Sequence, residues 1–377
     1  MNELIKTDGA YSMVLINSDE ANHLAAAKIT HAENISMSVA DAVTFKGKTV
    51  LSEDGKQLIA EMDRSTAEAD GFTHHHVLAQ AAALKAVSTG NIDTTDQVAG
   101  AFSHFRADEE GGNTMVFAHV GGSSTETKTG SHISSNMWNV DVGLGSQKEF
   151  SDGGRSEYAI YYEGGRGNYS THYEYNTADE TSGKLKYHGG GIFFRYENPE
   201  SVYGEAGFHA GRIKNENAAL GMDNSATYYG FHVGVGKILR TNDTDSFDIY
   251  TKFYYNRTGS MEYSRTVRDV MRVDAATSKL LRIGGRYNHL LGERYTLYAG
   301  AAFAYEFGGD ANGTAGLTSG DFASIRPAGM KGAGAVVEFG FRQNAQKGSP
   351  WEIDLGLKGY MGRQKGIGAN IGFKYHF

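Results

Sequence analysis

The sequence has no cysteine and only 3 prolines in 377 residues. The first absence excludes disulfide frameworks, zinc fingers and thiolate chemistry. The second leaves room for many long strands, since proline is confined to strand starts, edges and bulges. There is no apolar run of about 18 residues, so no transmembrane helix is expected. Nor is there a dense Lys/Arg run: 36 basic residues stand against 44 acidic ones, a formal net charge of -8. That argues against a nucleic-acid partner, which needs a clustered basic surface. The H-E-x-x-H, G-x-S-x-G and P-loop patterns are all missing. His74, His75 and His76 are consecutive. On a helix they point about 100° apart and cannot converge on one ion. The expectation is a protein that is not an enzyme and uses no cofactor or metal. Residues 1–10 are polar, with no apolar core of a secretory signal. The chain therefore reads as a fragment with an added or internal start.

What the sequence has in plenty is glycine, 50 residues, and tyrosine, 22. Glycine and tyrosine with little proline suit long strands with small residues on one face and aromatics near their ends. The mean hydropathy of -0.43 is polar, which a membrane barrel tolerates because only alternate residues meet lipid. From residue 113 the chain reads as strand after strand: 113–121, 132–148, 155–172, 185–196, 201–213, 226–239, 246–258, 279–290, 294–308, 332–344, 350–361 and 365–377. Period-two alternation separates two faces. Tyr295, Leu297, Ala299, Ala301, Phe303 and Tyr305 share one face of their strand, and Glu306 lies on the other. The same reading puts Asp141, Glu163, Glu205, Lys252, Arg282, Arg286, Glu338, Arg342, Glu352, Asp354, Lys358 and Lys374 on the polar side. In a soluble sheet protein the apolar faces would need a second layer, and the sequence supplies none of adequate size. Connections alternate between short (151–154, 198–200, 241–245, 291–293, 346–349) and long (176–184, 214–225, 259–278, 309–331). That is the rhythm of an up-and-down outer-membrane barrel.

Ahead of the strands, residues 73–89 read as a helix. Thr73 is its expected cap, Gly90 its stop, and Ala79, Ala81, Ala82, Ala83 and Ala86 favour it. Val77, Leu78, Leu84 and Val87 form a narrow apolar stripe. Gln80, Lys85 and the histidines are placed to meet Glu306, Glu338 and Glu352 if the helix enters a lumen. A weaker helix is expected over 94–105, then an acidic, glycine-rich gap at 108–112. Residues 1–72 are mixed, with a helical look at 22–28 and short strands at 42–45, 49–51 and 57–60. That segment is too short to bury a convincing core alone. The expected divisions are 1–72, 73–112 and 113–377.

In the last stretch, Ile367, Ala369, Ile371, Phe373, Tyr375 and Phe377 alternate with Gly366, Gly368, Asn370, Gly372, Lys374 and His376. This pattern resembles the terminal signal of bacterial outer-membrane barrels, which would make Ile371, Phe373, Tyr375 and Phe377 an assembly signal. Thr129-Gly130-Ser131-His132, Tyr161-Tyr162-Glu163-Gly164, Arg166-Gly167-Asn168-Tyr169, Tyr187-His188-Gly189-Gly190-Gly191 and Phe194-Arg195-Tyr196 then follow in order. Together with a helix before twelve strands, they resemble the translocator domain of autotransporters, over about 73–377. The resemblance implies an all-β transmembrane barrel of about 12 antiparallel strands with an N-terminal helix in its lumen. It implies export and anchoring of a passenger, with 1–72 as the passenger's C-terminal end, in the outer membrane of a Gram-negative bacterium. Outer-membrane lipid and lipopolysaccharide, the barrel-assembly machinery and the passenger itself are then the partners of a monomer. Some members of that family cleave at asparagine inside the pore; Asn91 lies near the helix end, but the usual Asn-Asn pair is absent. Two rivals are a porin and a barrel hydrolase with an outer-rim site near His172, Glu174 and Asp179.

Overall fold

In the computed structural model, described over residues 5–7, 10–18, 35–102, 114–173, 180–292, 294–345 and 349–377, five strands precede one long helix. The strands are β1 (Ile5–Thr7), β2 (Ala10–Asn17), β3 (Ile35–Val39), β4 (Val43–Leu51) and β5 (Gln57–Ala69), and the helix is α1 (His74–Phe102). Seven long strands follow: β6 (Thr114–Lys128), β7 (His132–Glu149), β8 (Arg155–His172), β9 (Glu180–Glu197), β10 (Val202–Asn217), β11 (Met222–Arg240) and β12 (Asp245–Thr258). After β12 come the short β13 (Met261–Tyr263) and β14 (Asp269–Val273), then the long β15 (Ala276–Leu291) and β16 (Tyr295–Glu306). The next connection holds β17 (Asp310–Ala311), β18 (Gly313–Leu317), β19 (Phe322–Ser324) and β20 (Ala328–Gly329). The chain ends with β21 (Gly332–Gln343), β22 (Trp351–Gly362) and β23 (Gln364–His376). Residues 22–28 and 108–112, for which a helical segment and an acidic gap were expected, lie outside the described residues.

The chain forms two compact units. One comprises Met1–Val77, Glu262–Val273 and Asn312–Pro327. Its five-stranded sheet runs β1-β2-β5-β4-β3, and β14 pairs with β18, which pairs with β19. The strands expected at 42–45 and 49–51 are one, with Lys46, Gly47 and Lys48 in the middle of β4. The β4–β5 ladder shifts register between Thr44 and Lys46 and continues. Gly47 fits there because a Cβ would stand 2.1 Å from the Glu61 carbonyl oxygen. The strands within 259–278 and 309–331 were read only as loops, because runs of five residues or fewer carry too little alternation to register.

The other unit, Leu78–Met261, Asp274–Ala311 and Ala328–Phe377, is a closed antiparallel barrel of twelve strands. Every neighbour along the barrel is the next barrel strand in sequence, and β23 pairs with β6 to close it. The up-and-down order follows from tight turns. At 151–154, for example, the Phe150 N–H donates to the Gly154 carbonyl at 2.8 Å, and Gly153 takes φ 88°. Strands of 12 to 19 residues exceed the roughly 9–11 that cross a hydrocarbon layer. Their outer face is apolar: Trp138, Val140, Val142 and Leu144 on β7, and Tyr229, Phe231, Val233 and Val235 on β11, are all exposed. Between them Asp141 and His232 are buried. Charge inside and hydrocarbon outside is the reverse of a water-soluble protein, and is the arrangement of a barrel in lipid.

Candidate functional site: the lumen and its helix

The helix lies in the lumen. It runs 29 residues without a break, about 43 Å at 1.5 Å per residue. Two sequence expectations change here. Thr73 belongs to a single 3₁₀ turn, Gly71–Thr73, that leads into α1, and its hydroxyl donates to the Asp70 carbonyl; Asp70 caps that turn, accepting from the Phe72 N–H at 3.0 Å. Gly90 does not end it, and the weaker helix expected over 94–105 is, over its described residues 94–102, its continuation. Gly90 sits where a Cβ would come within 2.2 Å of the Tyr187 hydroxyl on β9. The missing side chain therefore serves close passage of the wall, not termination. From Leu78 to Leu84 every residue is buried, Gln80 included. A helix surrounded by a wall buries all its faces, so the narrow apolar stripe is not what positions it.

The wall holds the helix by polar contacts along its length. Gln80 donates to the backbone carbonyls of Gly259 at 2.9 Å and Asp274 at 3.1 Å. Asn215 on β10 donates to the Ala79 carbonyl at 3.1 Å. Asn91 donates to Asn256 at 3.0 Å, and Asn256 also contacts His209 at 2.8 Å. Thr94 donates to Asp141 at 3.3 Å, and Asp141 is paired with His119 at 2.6 Å. The strongest contacts are ionic. Asp96, its side chain 7% exposed, lies 2.7 Å from Arg282, 3.2 Å from Lys358 and 3.8 Å from Lys252. Asp93 adds a 2.7 Å pair to Lys358. Past these acids the contact becomes apolar. Val98, Ala99 and Phe102 pack with Met115, Phe117, Ala159, Tyr161 and Phe193, and the Phe102 and Phe193 rings stack 6.1 Å apart.

The expected partners of the helix are otherwise engaged. Glu338 takes two hydrogen bonds from Arg286, both 2.8 Å. Glu352 pairs with Lys374 and lies 3.3 Å from Arg342, which also pairs with Asp354 at 2.7 Å. Glu306 accepts from Ser278 and from the Lys279 and Gly308 N–H groups. Glu163 accepts from Tyr228 at 2.8 Å and contacts His209 at 2.7 Å, while Glu205 pairs with Lys252 at 2.7 Å. Lys85 shares with Glu306 a cavity of about 60 Å³. Val77 is buried in the other unit, 3.3 Å from where a Gly313 Cβ would stand. At Asp93 and Asp96 the helix offers acids to wall cations, contacts opposite in sign to those expected at Glu338 and Glu352. Neither Asp93, in the gap expected between helices over 73–89 and 94–105, nor Asp96, on the weaker second helix, was among the expected lumen contacts. The spacing of Asp93 to Asp96 and of Val98 to Phe102, three and four residues, was the available signal. At the seam, Ile371, Phe373, Tyr375 and Phe377 lie on β23 or just past it. Phe373 and Phe377 are exposed, and the Tyr375 ring touches those of Trp351 (4.9 Å) and Phe377 (5.1 Å).

Three solved structures share this architecture. The β domain of the Bordetella autotransporter BrkA is similar over 70% of this chain and 100% of its own, at 14% identity and a TM-score of 0.53. The translocator domain of NalP from Neisseria meningitidis is similar over 78% of this chain and 100% of its own, at 14% identity and 0.54. The fold is that of an autotransporter translocator domain. The transport unit of AIDA-I from Escherichia coli adds a third case, at 11% identity and 0.55 over 78% of this chain and 99% of its own. No family model and no curated protein matches the sequence. These neighbours are translocators, not enzymes, and what they share with this chain at such identities is the fold.

Proposed function

We propose that this chain is the translocator of an autotransporter. It forms a pore in the outer membrane of a Gram-negative bacterium and exports and anchors the segment that precedes its helix. The observation that carries this reading is the continuous helix through a closed barrel: whatever precedes α1 is tied to the membrane by a strap that fills the pore. An apolar outer face suits outer-membrane lipid and lipopolysaccharide, and closure without a free sheet edge suits a monomer. The aromatic residues of β23 and Phe377 are the proposed signal to the barrel-assembly machinery. A porin would need an open lumen, and here α1 occupies it.

The test uses the absence of cysteine. Glu53→Cys introduces the only thiol, at an exposed turn between β4 and β5. In intact cells it should react with a membrane-impermeant maleimide. Deleting residues 364–377, and with them the seam, should abolish the labelling. A Glu53→Cys chain with a closed barrel but no surface label would count against export.

A further inference from the structure

The first compact unit is assembled from three separate pieces of chain. One precedes α1. The other two, Glu262–Val273 and Asn312–Pro327, are excursions within the β12–β15 and β16–β21 connections. A segment of some seventy residues that is partly irregular buries little apolar surface by itself. Here the buried apolar side chains come from every piece: Phe45 and Met62 from the first, Met271 and Val273 from the second, Leu317 and Ile325 from the third. β18 lies against β4 and β5, and β19 against β5.

Two polar clamps join the pieces. Asp321 stands at the tip of the β18–β19 hairpin, fixed by the Leu317 N–H to Asp321 carbonyl bond at 2.8 Å and by Gly320 at φ 108°. Its carboxylate accepts from Arg64 Nε at 3.0 Å and Nη2 at 2.7 Å and from the Tyr11 hydroxyl, and Arg64 lies over the Tyr11 ring at 5.3 Å. Burial, then the bond to Asp321, pushes the Tyr11 phenol up, as expected for a hydroxyl donating to a carboxylate. Arg265, on the other excursion, donates to the Ala40 carbonyl at 3.1 Å, pairs with Asp41 and covers the Phe72 ring at 5.3 Å. Ala40 and Asp41 carry φ of 56° and 49°. They are the central pair of the β3–β4 hairpin turn, closed by the Ala42 N–H to Val39 carbonyl bond at 3.1 Å. Arg265, from a barrel connection, grips that turn.

We propose that the two excursions are a folding template for the segment preceding the helix, so that residues 35–77 reach their folded form only on β14, β18 and β19. This rests on the export reading. A lumen wide enough for about one helix passes the segment unfolded. A surface already ordered then lowers the entropy the arriving chain must lose to fold.

The experiment compares Asp321→Arg, Arg265→Ala and the swapped pair Arg64→Asp/Asp321→Arg, each in the full chain carrying Glu53→Cys. Label at the cell surface reports arrival, and pulse proteolysis within 35–77 reports folding. Retention of the heat-dependent gel shift shows that each barrel has closed. Asp321→Arg and Arg265→Ala should be labelled like the parent yet cleaved about tenfold faster, and the swapped pair should return to within about threefold of it. Parental cleavage rates in both single variants overturn the template. The same comparison on full chains refolded from urea into detergent decides the template independently of export. Absence of label on the parent overturns the export reading alone.

Discussion

Three wall cations, Lys252, Arg282 and Lys358, face Asp96 across the lumen, and only Lys358 has a second acid on the helix, Asp93. Removing Asp96 leaves Arg282 without its paired counter-charge, while Lys252 keeps Glu205 and Lys358 keeps Asp93, a loss on the order of 3 kcal/mol. Asp96→Asn should therefore lower the urea midpoint of the folded barrel and raise the frequency of channel openings in a planar bilayer. Asp93→Asn should do less of both, because Lys358 keeps Asp96. Equal effects would mean that the acids act otherwise than through these cations. A second residue-scale prediction concerns Gly90. Alanine favours a helix interior by about 1 kcal/mol, but its Cβ would meet the Tyr187 hydroxyl at 2.2 Å, and overpacking costs about 1–3 kcal/mol. Gly90→Ala should destabilise the parent and cost clearly less in Tyr187→Phe, where the clashing oxygen is gone and only the ring carbon at 3.0 Å remains. An equal cost in the two backgrounds would exclude close passage as the reason for the glycine.

On the pore reading, the helix is the element that governs conduction. A chain beginning at Asn113 lacks it and should open wide and steadily in a planar bilayer, while the full chain should show small or rare openings. Equal conductance would remove the helix from the pore. Both ends of this element were legible in the sequence, as helices over 73–89 and 94–105, but its continuity across 90–93 was not. Residues 74–87 announce themselves by alanine. Residues 88–95 include Ser88, Thr89, Gly90, Asn91, Thr94 and Thr95, all weak helix formers. The wall overrides that propensity: Asn91, Thr94 and Thr95 make contacts with Asn256, Asp141 and His232. Interior polarity here serves the lumen, which a local propensity scale does not register.

For the whole molecule, the outward apolar band requires detergent or lipid, and a closed barrel should migrate faster unheated than boiled. A monomer stable without detergent would defeat the membrane reading. Within the band, Val142→Arg should weaken insertion by up to about 2–4 kcal/mol, the value for the bilayer midplane, measured as the urea midpoint in lipid vesicles. At the seam, Phe377→Asp should cut outer-membrane insertion and leave synthesis intact. The Phe377 N–H donates to the Thr114 carbonyl at 3.0 Å, a backbone bond that the substitution retains. Loss of insertion would therefore locate the effect in the ring, and parental insertion would leave β23 a plain closing strand.

Strand number, meander order and the sorting of Glu163, Glu205, Arg282, Glu338 and Asp354 to the inside were set by the sequence alone. In a barrel with one wet face and one greasy face, each residue's side follows from its parity, and parity is local. The partners of those side chains were decided only by the tertiary structure. Which lumen charges meet depends on how adjacent strands are staggered and on where the helix passes, neither of which a single strand encodes. For the same reason Glu338 is held by Arg286 rather than by the helix, Asp96 collects three cations from three strands, and two connections that read as loops fold with residues 224 to 310 positions away. The sequence fixes the faces because they are a property of each strand; closure fixes the pairs because they are a property of all twelve together.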